Sequence, residues 1–414
     1  MLMRWLLVSL LVVVVCACRR SPQSAANAPA VKAQMPPRND LPVAAGDSAS
    51  PDSFRRTPHG ERLAPLAPCR SRTAPLAAAR SFYDKGQYDE ALACAAQASA
   101  VMPNESQAHS EHAAALAALA MYDEARVAYS RALALNPNEV DALLGAAHLY
   151  AVSLPSSRDR DELASIYAEK GLELSEVRSN AKLRAQFALI SAMAFNDLGQ
   201  ARDALERADA VLTIEPGNPD AHYERSVALF ELCRFSEAKT AFTRLLTDKE
   251  HAAHAHHHLG LLLEREHRWT QSEEHFAVAR KLAPTEFWPA QLLSKEEFAA
   301  EVAKALSELP TDMQRDLKGV PVAAEDLPSS TDLTSGDPPL SPAILGLFRG
   351  PPLGEACTPA GHPPCRSVAL YRRNLSRVAK TREELLKQIR LTLHHEIGHL
   401  RGEDDLELAA RGLE

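Results

Sequence analysis

The chain has 414 residues, of which 46% are hydrophobic and 24% are charged, and its formal net charge is −8. This length exceeds what one small core needs, so two or more structural units are expected. The negative charge argues against nucleic acid as the main partner, because phosphate binding requires a basic face. The seven cysteines form no CxxC pair beyond the first residues, which argues against a cysteine zinc knuckle.

The pattern of residues 1–18 predicts a targeting segment. Arg4 gives it a positive start, and the apolar run from Trp5 to Val15 is short for a membrane span. The run ends in VVCAC, and the residues before Cys18 resemble a bacterial lipobox, whose cysteine is lipidated after cleavage. This resemblance implies an anchor that holds the chain on a membrane of the bacterial envelope, facing the periplasm or the exterior. A secretory signal and an uncleaved anchor are the alternatives.

Residues 19–71 are rich in proline, alanine, serine and asparagine. Prolines interrupt any regular element, and little apolar surface is available to offset the entropy of ordering the segment. The composition predicts a disordered tether between the membrane anchor and the folded part.

A repeat of 34 residues follows. GQYDEALACAAQASAVMPN is followed one period later by AMYDEARVAYSRALALNPN, so that Tyr88 matches Tyr122 and Pro103 matches Pro137. This period resembles the tetratricopeptide repeat, a pair of antiparallel helices, and predicts a helical solenoid over 72–286 with a degenerate repeat and an insertion at about 140–184. Such solenoids offer a concave surface, so the repeats are predicted to bind a protein partner.

The last repeat contains HAAHAHHHLG, in which His254 and His258 share a helix face. A second metal site is conceivable there. We favour a structural role, because no acidic or cysteine residue follows at a spacing that suits a third ligand.

Residues 290–414 predict a small α+β domain. Ser294 and Glu297 form a capping box before one helix, and GVPVAAEDL, AILGLFRG and SVALYRRNL are short apolar runs that predict strands. A long final helix begins after Thr381, with Glu384 completing its capping box. Gly402 stands where a left-handed residue would end this helix.

The end of this helix carries a candidate metal site. His395 and His399 are four residues apart, so both rings project from one face and can bind one tetrahedral cation. Glu396 lies beside the metal and can accept a proton from a water molecule that the metal activates. His394 points about 100° away from His395 and is not a ligand.

The third ligand follows the turn at Gly402. Asp405 is three residues further on, which completes the pattern HExxHxxGxxD. A carboxylate oxygen binds zinc at about the same distance as an imidazole nitrogen. Asp404 and Glu403 are alternative ligands, or groups that orient a histidine.

These motifs together resemble the minimal zincin-like metallopeptidase domain of bacteria. The resemblance depends on FAAEVAKALSELP, ILGLFRGPPL, VALYRRNL and the terminal histidine motif. It implies a compact α+β fold with one Zn²⁺ ion. The chain departs from the family by the insert GEACTPAGHPPCRS and by lacking a methionine turn. Tyr371 and Arg372 lie in a family motif, where they could stabilise an oxyanion or pack the strand.

Two functions remain open from the sequence. The first is a zinc metallopeptidase in which Glu396 is the general base and the repeats recruit a protein substrate or partner. The second is a lipoprotein scaffold with a catalytically silent zinc-binding domain. Cys357 and Cys365 flank a proline-rich loop within this insert, and an oxidising compartment would allow a disulfide between them, with two free thiols as the alternative.

Overall fold

The computed structural model describes residues 68–69, 71, 73–357 and 365–413. The described residues form two compact units, one reaching to residue 139 and the other beginning at residue 140. The predicted leader with Cys18, and the tether up to residue 67, lie outside the described residues. Of the helices that the structure describes, none combines the length and the apolar character needed to cross a membrane.

The first unit consists of two helix pairs. Buried alanines at the contacts, such as Ala95 and Ala132, bring the helices of each pair close together. A disulfide joins Cys69 to Cys94, so the chain is already tied to the repeats six residues before the first helix. The helices are α1 (Pro75–Asp84), α2 (Tyr88–Val101), α3 (Ser106–Ala118) and α4 (Tyr122–Leu135).

The second unit begins with the remaining repeats. The degenerate repeat differs from the others by a π-helical turn at Leu149–Ser153 and a short extra helix. The helices are α5 (Val140–His148), α6 (Arg158–Glu173), α7 (Ser175–Ser179), α8 (Ala181–Asp197), α9 (Ala201–Ile214), α10 (Pro219–Glu231), α11 (Phe235–Arg244), α12 (Ala252–Arg265) and α13 (Trp269–Leu282).

The backbone repeats the 34-residue period of the sequence. A residue with positive φ connects the two helices of a repeat at Gly86 and Ala120, and again at Gly199, Cys233 and His267. Within each group these residues are 34 apart, whereas 79 residues separate Ala120 from Gly199. This is eleven residues more than two periods, so the insertion lies in the degenerate repeat.

The C-terminal region is α+β, as predicted. Its sheet has the order β1-β3-β2, with β1 parallel and β2 antiparallel to β3. The elements are α14 (Lys295–Glu308), α15 (Thr311–Asp316), β1 (Val322–Glu325), α16 (Ser330–Leu333), β2 (Gly346–Arg349), β3 (Ser367–Tyr371), α17 (Arg372–Val378), α18 (Arg382–Arg401) and α19 (Asp405–Ala410).

The sheet is covered on both faces. Val368 and Leu370 of β3 face a core shared with α14 and α18, whereas Ala369 and Tyr371 face the opposite side. This alternation follows from the two-residue period of a strand. Cys233 and Phe235 of the repeats pack against the second face. The last repeats therefore complete the core of the C-terminal region.

Local signals in the sequence located the helix ends well. The capping boxes at Ser294 and Thr381 are both formed, and Gly402 ends α18 with φ 93°. The prediction that SVALYRRNL is a strand throughout was wrong, because β3 ends at Tyr371 and α17 follows. Tertiary bonds hold this helix, since Asn374 donates hydrogen bonds to the carbonyls of Pro342 and Ile344.

Candidate metal centre

The last two turns of α18 carry His395, Glu396 and His399. All three are buried, with exposed fractions of 4%, 0% and 2%. The four-residue spacing stacks the two imidazoles on one helix face, and their Nε2 atoms lie 3.0 Å apart. Asp405 meets them there, its Oδ1 atom 3.5 Å from His395 Nε2 and 3.3 Å from His399 Nε2.

These three separations fit a zinc ion. Zinc bonds of about 2.0–2.1 Å in tetrahedral geometry place the ligand atoms about 3.3 Å from one another. The two nitrogens and the carboxylate oxygen therefore form one face of such a tetrahedron. Within the described part of the chain, this group is the one set of three or more candidate metal ligands that converge.

Main-chain carbonyls fix the orientation of both rings. His395 Nδ1 lies 2.7 Å from the carbonyl oxygen of Leu413, and His399 Nδ1 lies 3.0 Å from that of Glu403. A carbonyl can only accept, so each Nδ1 carries the proton. The lone pair of each Nε2 then points to the shared centre, which is the tautomer that metal binding requires.

Asp405 reaches the centre because α18 ends abruptly. Gly402 adopts the left-handed conformation, and Asp404 then caps α19 by accepting a hydrogen bond from the Glu407 amide. A Cβ atom at Gly398 would overlap Leu408 of α19, so the glycine permits the two helices to pack. Asp405 is the first residue of α19 and is held against the histidines by this packing.

Glu396 occupies a buried space beside the ligands, next to β2. A Cβ atom at Gly346 would lie 2.7 Å from Glu396 Oε1, so a glycine at this point of β2 leaves room for the carboxylate. The main-chain amide of Phe348, also in β2, donates a hydrogen bond to it. Burial raises the pKa of Glu396 to about 6, although the two histidines and the amide oppose this shift.

The ligands shift one another's protonation. Burial alone would lower the pKa of His395 and His399, but the carboxylates of Asp405 and Glu396 and a main-chain carbonyl together outweigh it and raise the pKa of both rings. Burial alone would raise the pKa of Asp405, but the two histidines outweigh it and lower that pKa. The centre is therefore a strongly coupled set of one carboxylate and two imidazoles.

Other candidates have structural roles. The side chain of Asp404 caps α19, and that of Glu403 pairs with Arg411 while its carbonyl orients His399. Tyr371 is fully buried on the sheet, and Arg372 forms an ion pair with Asp326 at 2.7 Å. Neither belongs to the converging set of ligands, although the charge of Glu396 contributes, after burial, to a raised pKa of Tyr371.

The histidines of α12 do not converge on a third ligand within the described residues. The ring of His258 stacks on Phe242 with 4.5 Å between centroids, and its Nδ1 lies 2.9 Å from the His254 carbonyl oxygen. Burial lowers the pKa of His258 to about 4. His254 Nε2 lies 3.2 Å from a carboxylate oxygen of Glu286, which the sequence spacing did not indicate.

Four cysteines are paired in the structure. Cys357 and Cys365 form one disulfide, and Cys69 and Cys94 form the other. Cys233 is free. The Cys69–Cys94 disulfide was not predicted from the sequence, because Cys69 was assigned to the tether.

Two glycines of the site were also missed. Gly346 lies in the segment ILGLFRG, and Gly398 lies between the two histidines of the metal site. A glycine within a strand or a helix interior is a signal of close approach, and it could have indicated both contacts.

Comparisons with known protein families match three separate parts of the chain. Residues 317–413 match the family of zincin-like metallopeptidases, and residues 76–140 and 195–285 match tetratricopeptide-repeat families. No curated protein matches the chain.

Two solved structures with low sequence identity are among those similar to the chain. PilF of Pseudomonas aeruginosa is 16% identical with a TM-score of 0.40, over 56% of this chain and 97% of PilF. A tetratricopeptide-repeat protein of Parabacteroides merdae is 16% identical with a TM-score of 0.36, over 51% of this chain and 80% of its own. The family matches show that the chain carries tetratricopeptide repeats followed by a C-terminal zincin-like metallopeptidase domain.

Proposed function

We propose that the chain is a zinc-dependent metallopeptidase that hydrolyses peptide bonds. One observation supports this proposal above all: the ligand atoms of His395, His399 and Asp405 lie as far from one another as they would around a tetrahedral zinc ion. The carboxylate of Glu396 is buried beside them. A site that only bound metal would not need a buried carboxylate next to the ligands, because burying an unneeded charge is costly.

Glu396 is the general base of the proposed reaction. Zinc bound at this centre would supply Lewis acidity, which polarises the scissile carbonyl and acidifies water. Glu396 takes the proton from the attacking water and later delivers it to the leaving amine. Burial raises the pKa of this carboxylate, and a raised pKa makes a carboxylate a stronger base.

The substrate is proposed to bind along strand β2. This strand lies at the edge of the described sheet, and its residues Gly346 and Phe348 contact Glu396. An edge strand offers main-chain donors and acceptors that can pair with an extended peptide. A substrate bound there would have its backbone next to the base, which favours cleavage of unfolded or extended segments.

The remaining parts of the chain are proposed to bring the peptidase to its substrate. The repeats would recruit a protein substrate or partner on their concave surface. Lipidation of Cys18 would anchor the protein to a membrane of the bacterial envelope, on the periplasmic or outer side.

A cleavage screen tests the peptidase directly. Cells with the wild-type chain are compared with cells carrying Glu396→Gln, and new protein N-termini are mapped in the envelope fraction. The peptidase proposal expects a set of cleavages that the variant lacks. Identical maps, with function lost only when the repeats are deleted, would instead support a scaffold with a catalytically silent domain.

A further inference from the structure

A cavity lies where the last repeats meet the C-terminal region, in the same compact unit, and none of the three metal ligands lines it. Its volume is about 70 Å³. One water-sized group needs on the order of 10–15 Å³, so the cavity holds roughly six non-hydrogen atoms. Its apolar walls are formed by Phe230, Leu261, Phe276, Phe287, Trp288 and Val378.

The charged groups lining this cavity are mainly cationic. They are Arg265, Arg280 and Arg377, against the single carboxylate of Glu286. Glu286 lies 3.2 Å from His254, and Arg280 lies 2.6 Å from Glu273 at the surface. The imidazole of His257 is also present, but burial lowers its pKa well below its ordinary value, so it is neutral.

Arg265 and Arg377 lack full compensation. Arg377 shares one oxygen of Glu264 with Arg373, so two guanidinium groups depend on one carboxylate. Arg265 donates to the carbonyl oxygen of Pro328 at 3.2 Å and stacks on Phe235, and neither contact carries a negative charge. Arginine stays protonated in proteins, so Arg265, Arg373 and Arg377 face only the carboxylates of Glu264 and Glu286, and about one positive charge in this region has no counter-charge.

Each of these arginines also has one buried nitrogen donor without a hydrogen-bond partner among the described residues. These donors are Arg265 Nη1 and Arg377 Nε. Burial lowers the pKa of both groups, because the charged form is poorly solvated there. These two donor atoms have almost no accessible surface themselves, but an anion in the cavity would offset the poorly solvated charge of both guanidinium groups.

We propose that this cavity binds a small organic carboxylate carried on an apolar group. The carboxylate would pair with Arg265 and Arg377, since guanidinium and carboxylate match in shape, and the apolar part would lie against the aromatic wall. A bare inorganic anion would leave that wall unfilled. The proposal does not depend on peptidase activity.

Butanoate is the test ligand, because it has about the size of the cavity, and butanamide is its uncharged counterpart. Dissociation constants are measured by NMR titration on the full chain. The proposal expects saturable binding of butanoate to one site, at least tenfold weaker binding of butanamide, and no better binding of inorganic phosphate. Equal affinity for butanoate and butanamide, stronger binding of phosphate, or no binding of butanoate would overturn it.

Two variants tie the binding to this cavity. Arg265→Gln removes the charge but keeps an N–H donor, and it is expected to weaken butanoate binding at least tenfold. Ala343→Leu fills the lined space without changing charge, and it is expected to abolish binding. Arg244→Gln is the control, since Arg244 does not line the cavity. Unchanged binding in both Arg265→Gln and Ala343→Leu, with each variant folded, would contradict the assignment.

Discussion

The Nε2 atoms of His395 and His399 face each other at 3.0 Å while both Nδ1 atoms are bonded to main-chain carbonyls. Two neutral imidazoles held in this way present lone pairs to one another. Either a shared proton or a metal ion between them relieves this repulsion. The centre can therefore bind either a proton or a metal ion between the two rings. Asp405 supplies negative charge next to either of them.

Loss of one ring is expected to empty the site. His395→Ala should reduce bound zinc from one ion per chain to almost none, because a pair of ligands rarely holds zinc in a protein. His394→Ala is the matched control, since His394 is the preceding residue but is not among the converging ligands. Zinc is measured by elemental analysis after dialysis. Retention of one zinc in His395→Ala would show that the ligand set is wrong.

Zinc affinity is expected to fall on acidification. Asp405 raises the pKa of both histidines above the ordinary value of 6.5, so protons begin to compete with zinc at a higher pH than usual. The pKa of Asp405 is lowered, so this carboxylate stays ionised over the same range. Apparent affinity should drop by about tenfold per pH unit for each ring that must lose a proton. Chelator competition between pH 8 and pH 5 measures this, and a constant affinity would contradict it.

Gly346 is expected to be essential for placing the base. A Cβ atom in Gly346→Ala would lie 2.7 Å from both Glu396 Oε1 and Thr392 Cγ2, so the carboxylate or the strand must move. We expect a stability loss of about 1–3 kcal/mol and a large loss of turnover, with zinc still bound. Gly217→Ala is the control, because a Cβ atom there meets no neighbour within 4 Å. Normal turnover in Gly346→Ala would argue against Glu396 as the base.

Glu264 is expected to hold the last repeat to the C-terminal region. Its side chain is 3% exposed and pairs with Arg373 and Arg377. Glu264→Gln leaves two buried guanidinium groups without a carboxylate and should cost about 3–5 kcal/mol in unfolding free energy. The change is measured by urea denaturation of the full chain.

Glu273→Gln serves as the control for this prediction. Glu273 forms its ion pair with Arg280 at the surface, where its side chain is 64% exposed, so the change should cost less than about 1 kcal/mol. Equal effects of the two substitutions would show that the Glu264 cluster does not stabilise this junction.

Short-range patterns in the sequence predicted the fold class and the helix ends, because capping residues and glycine turns act locally. The approach of Asp405 to the histidines was predicted from the spacing after Gly402. Two other contacts were not predicted. They are the packing of Cys233 and Phe235 against the sheet and the contact between Gly346 and Glu396. These contacts join segments that are far apart in the chain, and no local period encodes them.

The most direct test of the peptidase is to compare zinc content and turnover in one variant, Glu396→Gln. Glutamine keeps the shape and hydrogen-bonding capacity of the side chain but cannot accept the proton. Peptide hydrolysis and zinc stoichiometry are measured on the same purified samples of wild type and variant. We expect one zinc per chain in both proteins and a rate at least a hundredfold lower in the variant. Wild-type hydrolysis by zinc-loaded Glu396→Gln would contradict it.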